Sequence, residues 1–329
     1  MDNNTTLRPA PASGEKYVHR NGIKAIKDGI KVSVEYPHQE SPKKPNWFKV
    51  PIPSGESFLS LKSKVKQLNL SSVCEESKCP NIAECWNHKT ATLMVMGSIC
   101  TRACKFCAVD TGNPKGWLDE DEPKNIADTI AYMSLQYVVL TSVDRDDLFD
   151  GGSSHIARCV SASKRLSPNV AIEVLSPDFR GNLNHLDVLL DSGLDVFSQN
   201  IETVKRLTET VRDPRAGYQQ TLGMLSHANK KGFVSKSGIM LGVGEERDEV
   251  IETMKDLYEN GVKILTIGQY LQPTKNHLPV KKYIHPDEFT EYSHIGKQIG
   301  IDEVVAGPLI RSSYRADRAF MNLEENKNA

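Results

Sequence analysis

Long apolar runs are absent from this sequence of 329 residues, and its densest apolar stretches, such as Tyr137–Leu140, have only the length of a strand. A membrane-spanning helix needs about 20 apolar residues, so none is expected. The segment MDNNTTLRPAPASGEK lacks the apolar stretch of a secretory signal and is poor in the arginine of a transit peptide. The formal net charge of -1 gives no support to bulk binding of nucleic acid or membranes. We therefore expect a cytoplasmic protein with neither nucleic acid nor membrane as a partner.

The sequence does contain a regular alternation of short apolar runs and helical patterns. Six runs have the length and β-branched composition of buried strands. They are Thr92–Gly97, Tyr137–Ser142, Val170–Leu175, Val196–Ile201, Lys236–Leu241 and Ile264–Tyr270. Helical repeats separate them. We predict an α/β fold, namely a partial (β/α)6 barrel of the TIM type with N-terminal and C-terminal extensions, and Val304–Leu309 is a candidate for a further strand.

The predicted barrel divides the chain into four parts. Residues 1–45 are polar, and we expect an extension that is partly disordered at its start. Residues 46–90 hold a predicted helix, Ser60–Leu68, and three cysteines. The barrel occupies residues 91–285, and residues 286–329 form a helix, a strand and the sequence Arg-Ser-Ser-Tyr-Arg. In a βα barrel the loops after the strands build the active site, so residues in these loops are the candidates for function.

Six of the seven cysteines lie between positions 74 and 107, which favours metal binding over disulfides in a reducing cytosol. The seventh, Cys159, lies in a predicted helix and is expected to be a buried, inert thiol. Cys100, Cys104 and Cys107 follow the first predicted strand with the spacing C-x3-C-x2-C. Three thiolates bind three irons of a [4Fe–4S] cluster and leave the fourth iron open. A zinc loop is the alternative, but it needs a fourth protein ligand, and none lies nearby.

A second triplet of cysteines precedes the barrel. Cys74, Cys79 and Cys85 have the spacing C-x4-C-x5-C, and His88 lies three residues after Cys85. A Cys3His zinc site is therefore chemically possible. The spacing alone leaves both zinc and a second iron–sulfur cluster open.

Several segments resemble known families. CTRACKFC, from Cys100 to Cys107, resembles the signature of the radical S-adenosylmethionine superfamily. CEESKCPNIAECW, Arg311-Ser-Ser-Tyr-Arg315 and GQYLQPTKNHLPV resemble motifs of the lipoyl synthase family within that superfamily. These segments occur in the family's order, and the resemblance extends from about Lys44 to Asp317.

The resemblance implies two [4Fe–4S] clusters and S-adenosylmethionine as cofactors. The first cluster, on Cys100, Cys104 and Cys107, would cleave S-adenosylmethionine to a radical that removes hydrogen from unactivated carbon. The second cluster would supply sulfur, and its implied ligands are Cys74, Cys79, Cys85 and Ser313. The implied activity inserts two sulfur atoms at C6 and C8 of a protein-bound octanoyl group. The products are a lipoylated carrier protein, 5′-deoxyadenosine and methionine.

The resemblance also implies protein partners. The substrates would be octanoylated lipoyl-carrier proteins, such as the lipoyl domains of 2-oxoacid dehydrogenases and the glycine cleavage H protein. A flavodoxin or ferredoxin-type protein would supply electrons, and an iron–sulfur cluster carrier would serve the clusters.

Polar residues after the strands are candidates for binding S-adenosylmethionine. The resemblance places Thr141, Ser142 and Asp144 in this pocket, although a solvated acidic loop with a helix cap is an equal alternative. Glu173 interrupts an apolar strand, so its carboxylate is either paired structurally or bound to ligand, for which a ribose hydroxyl is attractive.

Two further candidates face the same choice, namely Asn200 and Glu202. The family usually has His-Asn where this chain has Gln199-Asn200, so a role tied to that histidine is not expected here. The loop from Gln269 to His277 could position the acyl chain or form a structural turn.

Three other functions remain as rivals at this point. A methylthiotransferase or a biotin synthase would also insert sulfur, but no tRNA-binding module is visible and the C-x4-C-x5-C placement argues against both. A zinc-stabilised or electron-transfer protein without catalysis is the rival from a different class, and its iron and sulfide content would separate it.

Overall fold

The computed structural model describes residues 11–19, 21–29, 40–48, 55, 59, 60, 62, 63, 67, 71, 72, 79, 81–88 and 90–328. Cys74 and much of the predicted helix Ser60–Leu68 lie outside the described residues. In the part of the chain that is described, no helix combines the length and apolar character that crossing a membrane requires.

A curved sheet of parallel strands forms the centre of the molecule. In chain order the strands are β1 Lys16–Val18, β2 Lys24–Ile26, β3 Ser71–Ser72, β4 Thr90–Val95, β5 Ile99–Cys100, β6 Asp110–Gly112, β7 Tyr137–Ser142, β8 Ala171–Leu175, β9 Val196–Ser198, β10 Val234–Leu241, β11 Val262–Gln269 and β12 Glu303–Gly307. The order in the sheet is β12-β11-β10-β9-β8-β7-β4-β3, and only β3 runs antiparallel to its neighbour. Each predicted strand overlaps one of these seven parallel strands, so the predicted α/β partial barrel is confirmed.

Helices pack against the sheet, most of them on its outer face. They are α1 Ile82–Asn87, α2 Glu122–Tyr132, α3 Ser153–Leu166, α4 Leu183–Leu190, α5 Thr208–Val211, α6 Tyr218–Lys230, α7 Arg247–Glu259, α8 Pro286–Ile299 and α9 Ala316–Asn328. Outward-facing strand residues such as Val138 and Leu265 join one large apolar cluster with helix residues such as Ile126 and Met254. Burial of this apolar surface is the main force that holds the layers together.

The inner face of the sheet is occupied by the C-terminal helix α9. Side chains alternate between the two faces of a strand, so Tyr137 and Val139 point away from the outer helices. Both pack with Ala316, and the ring of Phe320 lies 5.8 Å from the ring of Tyr137.

Further along the same helix, Ala319 and Leu323 pack on Ile264 of β11. The C-terminal helix therefore fills part of the barrel interior.

A second, four-stranded sheet has the order β1-β2-β6-β5 and includes Cys100. Its strands β1 and β2 form a hairpin from a stretch of the chain that we expected to be an extension. The hairpin joins β6 antiparallel, and β6 runs parallel to β5. The backbones of β2 and β6 lie close together at Gly112, because a Cβ atom there would lie 2.6 Å from the carbonyl oxygen of Lys24.

Candidate functional site

The chain leaves the central sheet at β4 through a tight turn that begins the cysteine loop. Met96 has φ 67 and Gly97 has φ 78, so two successive residues adopt the left-handed conformation. For a residue with a side chain this costs about 1–3 kcal/mol and persists only where neighbouring groups hold it. The turn directs Ile99 and Cys100 into β5, at the carboxyl end of the barrel.

The thiols of Cys100, Cys104 and Cys107 lie close enough to affect one another electrostatically. Burial, the Asp144 carboxylate and the two other thiols raise the pKa of Cys100 well above its usual value. Burial, followed by Cys107, raises the pKa of Cys104 to about 12. Such thiols become thiolates only when a strong cation binds them, as it does in a metal or iron–sulfur site.

Backbone amides point at two of these sulfur atoms. The N–H of Arg102 donates to Sγ of Cys100 at 3.4 Å, and the N–H of Asp213 donates to Sγ of Cys104 at 3.3 Å. Hydrogen bonds to thiolate sulfur are one means by which proteins adjust the potential of an iron–sulfur cluster. The donor set and its amides therefore fit a cluster at this loop.

Arg102, between the first two cysteines, anchors the loop from behind. Its guanidinium is buried and donates to both oxygens of Asp178 at 2.6 and 2.7 Å. It also donates to both oxygens of Asp146 at 2.9 and 3.0 Å. Two such forked ion pairs fix the orientation of the arginine plane, which a lysine could not reproduce.

Asp146 is shared by three arginines. Besides Arg102, it accepts hydrogen bonds from Arg180 at 3.0 Å and from Arg215 at 3.1 Å. Although burial raises the pKa of Asp146, the bonds from Arg102 and Arg180 bring it well below its ordinary range. Arg215 in turn bonds the carboxylate of Asp213, so the same network reaches the amide that faces Cys104.

Buried polar atoms without a partner among the described residues collect on the strands beside this loop. They are Ser142 Oγ, Glu173 Oε1, Ser198 Oγ, both amide atoms of Gln199, Asn200 Oδ1 and Thr203 Oγ1. A buried unpaired polar group costs about 1–3 kcal/mol, so a group of them indicates a polar ligand. Ser142 and Asn200 belong to this group, and their contact with S-adenosylmethionine stays a prediction.

Glu173 is paired structurally through one of its oxygens. Its Oε2 accepts from Nζ of Lys236 and from the hydroxyl of Tyr137, both at 2.7 Å, and all three side chains are buried. Its Oε1 has no partner among the described residues. The structure therefore shows the structural pairing for one oxygen, while a contact of the other oxygen with a ribose hydroxyl stays a prediction.

The other predicted pocket residues lie at the same end of the barrel. Thr141 donates to the carbonyl of Leu175 at 3.2 Å, which is a bond within the sheet. Asp144 faces Arg102 at 3.4 Å, and burial raises its pKa to about 6 even though that arginine lowers it.

Glu202 has φ 68 and accepts from the amide of Asn200 at 3.1 Å. Burial raises its pKa.

The loop after β11 is attached directly to the cysteine loop. The amide N–H of Leu278 donates to the carbonyl of Lys105 at 3.3 Å, and Nε2 of His277 lies 3.0 Å from the carbonyl oxygen of Cys107. The side-chain amide of Gln269 donates to the carbonyl of Leu241 at the end of β10 and to the loop carbonyls of Tyr270 and Lys282. Gln269 and His277 thus have structural roles in holding the loop.

The segment with Cys79 and Cys85 contacts the region around Ser313. The amide of Asn81 donates to the carbonyl of Leu309 at 2.6 Å, and the hydroxyl of Tyr314 donates to Glu84 at 2.9 Å. Burial raises the pKa of Cys79, and an Asn81 amide bond and the charge of Arg311 oppose this. Ser313 lies half-buried between Arg311 and Tyr314, while Cys85 is buried in α1.

Sequence reasoning missed most of the ionic network behind the cysteine loop. Arg102, Asp178 and the pair Asp213 and Arg215 come from three segments that are distant along the chain. The available signal was the arginine inside C-x-R-x-C and the acidic residues that follow strands. No period or spacing connects these residues before the fold is known.

Comparison with known proteins identifies two matching family models. Residues 94–257 match the radical SAM superfamily, and residues 16–79 match the N-terminal domain of lipoyl synthase of the radical SAM family. A lipoyl synthase of Marinobacter nauticus is 55% identical over 318 residues, which cover 96% of this chain and 91% of that protein. A lipoyl synthase of Legionella pneumophila is 55% identical over 310 residues, which cover 94% of each chain.

Solved structures support the fold. The FeFe-hydrogenase maturase HydG of Carboxydothermus hydrogenoformans superposes with a TM-score of 0.51 at 14% sequence identity. The match covers 82% of this chain and 78% of that one. Identity at this level shows only a shared fold.

Proposed function

Because this chain belongs to the lipoyl synthase family of radical S-adenosylmethionine enzymes, we propose that Cys100, Cys104 and Cys107 hold its [4Fe–4S] cluster. Its activity is the insertion of two sulfur atoms at C6 and C8 of a protein-bound octanoyl group. The observation that carries the assignment is the pair of backbone amides that donate to the sulfur atoms of Cys100 and Cys104 at the mouth of the barrel. When bound there, the cluster supplies an electron that cleaves S-adenosylmethionine to methionine and a hydrogen-abstracting radical.

The chain's own residues provide the pocket around that chemistry. Ser142, Asn200 and the free oxygen of Glu173 supply unpaired polar atoms to hold the nucleoside and amino-acid groups of S-adenosylmethionine. Thr141, Asp144 and Glu202 surround them at the same end of the sheet. The reaction requires that water be kept from this site, so that the radical reacts only with the bound acyl chain.

We assign a second [4Fe–4S] cluster, the source of sulfur, to Cys74, Cys79, Cys85 and Ser313. The support is the contact between the two segments, because Asn81 and Tyr314 join α1 to the stretch that carries Ser313. Serine oxygen is a poorer ligand for iron than thiolate is. A labile fourth ligand suits a cluster that is consumed as it gives up sulfide.

The substrate partner is an octanoylated lipoyl-carrier protein, which is what the activity requires. We propose the lipoyl domains of 2-oxoacid dehydrogenases and the glycine cleavage H protein, a flavodoxin or ferredoxin-type reductant, and an iron–sulfur cluster carrier. We place the enzyme in the cytoplasm.

The assignment is tested by anaerobic reconstitution with an octanoylated peptide and mass spectrometry of the peptide and 5′-deoxyadenosine. Each turnover should add two sulfur atoms to the peptide. Zinc in place of iron and sulfide at either triplet would contradict the cluster assignments.

Ser313→Ala tests the labile ligand. We expect sulfur insertion to fall about 10-fold or more, while release of 5′-deoxyadenosine changes little, because the first cluster is distinct. Ser312→Ala, in the same turn, is the matched control and should behave like the wild type. Equal loss of both products in Ser313→Ala would remove Ser313 from the ligand set.

A further inference from the structure

The turn at Met96 is held on both sides by buried side chains outside the cysteine loop. Oε2 of Glu122, the first residue of α2, accepts the backbone N–H of Met96 at 2.7 Å. Nη1 of Arg145 donates to the backbone carbonyl of Met96 at 3.4 Å. Because φ of Met96 is 67, the turn depends on such bonds to persist.

Glu122 is itself fixed by a histidine in a single tautomer. Nη2 of Arg158 lies 3.0 Å from Nδ1 of His155, and a guanidinium can only donate, so Nδ1 is the acceptor. Nε2 of His155 therefore carries the proton and donates it to Oε2 of Glu122 at 2.7 Å. The other end of Arg158 pairs with the exposed Glu120 at 2.9 Å.

The same group has the composition of a metal site, since Glu122, His155 and Cys159 have ligand atoms within 4.8 Å of one another. Its chemistry does not fit one. Both imidazole nitrogens are engaged, and the guanidinium of Arg158 places a positive charge beside the histidine. Arg158 also pairs with Glu120, so its charge is held beside His155. Glu122 and His155 therefore serve to hold the Met96 turn by hydrogen bonds.

We propose that Glu122 is a positioning residue for the radical-forming cluster. Its carboxylate, oriented by His155, fixes the turn at Met96 and through it the direction in which Cys100 leaves the barrel. Glu122 acts through the backbone and does not contact the cluster. The inference rests on the proposed function, in which Cys100 is a cluster ligand.

Two substitutions distinguish a role for the length of the Glu122 side chain from a role for its negative charge. Glu122→Gln keeps an oxygen at the same distance and can still accept from Met96 and His155. Glu122→Asp keeps the charge but is one methylene shorter, so it cannot meet both donors. Positioning therefore predicts that Asp disturbs the site and that Gln preserves it.

The experiment uses enzyme reconstituted anaerobically in a Cys74→Ala, Cys79→Ala, Cys85→Ala background, so that a single cluster remains. The readouts are the electron paramagnetic resonance spectrum of the reduced cluster with and without S-adenosylmethionine, and the exchange of the Met96 amide hydrogen. For Glu122→Asp we expect a heterogeneous spectrum that responds weakly to S-adenosylmethionine, and faster exchange of the Met96 amide hydrogen. Cleavage of S-adenosylmethionine should be about 10-fold slower. Glu122→Gln should stay within about 2-fold of the background, and so should Glu120→Gln, the control on the exposed side of Arg158.

Two results would overturn the inference. Equal damage in Glu122→Gln and Glu122→Asp would assign the role to charge. A normal spectrum and normal exchange in Glu122→Asp, with only a lower melting temperature, would make Glu122 purely structural. Cys100→Ala in the same background separates this inference from the proposed function, because a cluster that still forms normally there would refute the ligand assignment itself.

Discussion

At the residue scale, the buried triad of Tyr137, Glu173 and Lys236 shows how much of the barrel interior is polar. The lysine and the glutamate are each at most 1% exposed, so each ion would be very costly without the other. Removal of one partner from such a buried pair is strongly destabilising, because the other charge is left without compensation. Replacement of both partners by apolar side chains costs much less. The single and double variants of this pair should therefore differ in stability.

Lys236→Met should lower the free energy of unfolding by about 3–5 kcal/mol, because the glutamate is left charged in a buried site. The double variant Lys236→Met, Glu173→Leu should be less destabilised than Lys236→Met alone. Urea unfolding of the two single variants, the double variant and the wild type measures this. Additive losses in the double variant would show that the pair is not coupled.

Asp150 offers a test in pH. It accepts the backbone N–H groups of Gly152 and Ser154 at the start of α3, each at 2.9 Å. Burial raises the pKa of Asp150, but the bonds from Ser154 and Gly152 outweigh it, and the pKa is lowered below 3.8. The ionised carboxylate therefore stabilises the fold at pH values above about 4, and this stabilisation is lost as pH falls through the folded-state pKa.

Asp150→Asn should consequently be less stable than the wild type by about 1 kcal/mol at pH 7. The difference should shrink to nothing in acid, once the pH lies below the lowered folded-state pKa of Asp150. Thermal unfolding at both pH values checks this, with Asp128→Asn on the exposed face of α2 as the control. A difference that persists unchanged in acid would mean that the charge of Asp150 contributes nothing.

The sequence predicted the residues whose chemistry is carried by a local pattern. The cysteine spacing identified the C-x3-C-x2-C loop, and the interruption of an apolar strand by Glu173 identified a buried carboxylate. Lys236 as its partner could not be predicted, because the two residues meet only across the curved sheet. Glu122 was equally invisible, since a glutamate beside proline at a helix start is an ordinary surface pattern.

At the element scale, strands with continuous apolar runs were predictable and the polar or inward-facing elements were not. β4 and β7 are buried almost throughout, which marks them as central parallel strands. β1 alternates between exposed and half-buried residues and resembles a loop in sequence. The position of α9 inside the sheet could not be read from its composition, because amphipathicity shows that a helix packs but not where.

Leu323 tests the packing of α9. This side chain is 3% exposed and contacts the inner face of the sheet, so Leu323→Ala should cost about 2–4 kcal/mol. Met321 lies on the same helix at 47% exposure, and Met321→Ala should change stability by less than about 0.5 kcal/mol. Urea unfolding measures both, and equal effects would contradict the placement of α9.

At the scale of the whole molecule, segments far apart in sequence meet around the cysteine loop. Ser13 contacts Thr274 at 3.1 Å, and Ser41 donates to Gln272 at 2.6 Å. Asp110, next to the loop, accepts from Tyr17 and pairs with Lys27 at 3.2 Å. The N-terminal hairpin is thereby tied to β6, which pairs with the strand that carries Cys100.

Asp110→Asn should release this hairpin, because it removes the charge that Lys27 and Tyr17 contact. We expect proteolysis within residues 11–29 to become several-fold faster, since local opening needs only local bonds to break. Hydrogen exchange in β7 should stay unchanged. Asp128→Asn, whose partner Lys124 is solvent-exposed, serves as the control.

The position of α9 has a consequence for synthesis on the ribosome. Every described strand of the central sheet precedes Ala316 in the chain. A growing chain can therefore pair its strands before α9 is available to cover the inner face of the sheet. Nascent chains whose emerged part ends just before Ala316 should therefore expose apolar surface and recruit chaperones, and chains stalled with α9 outside the exit tunnel should not.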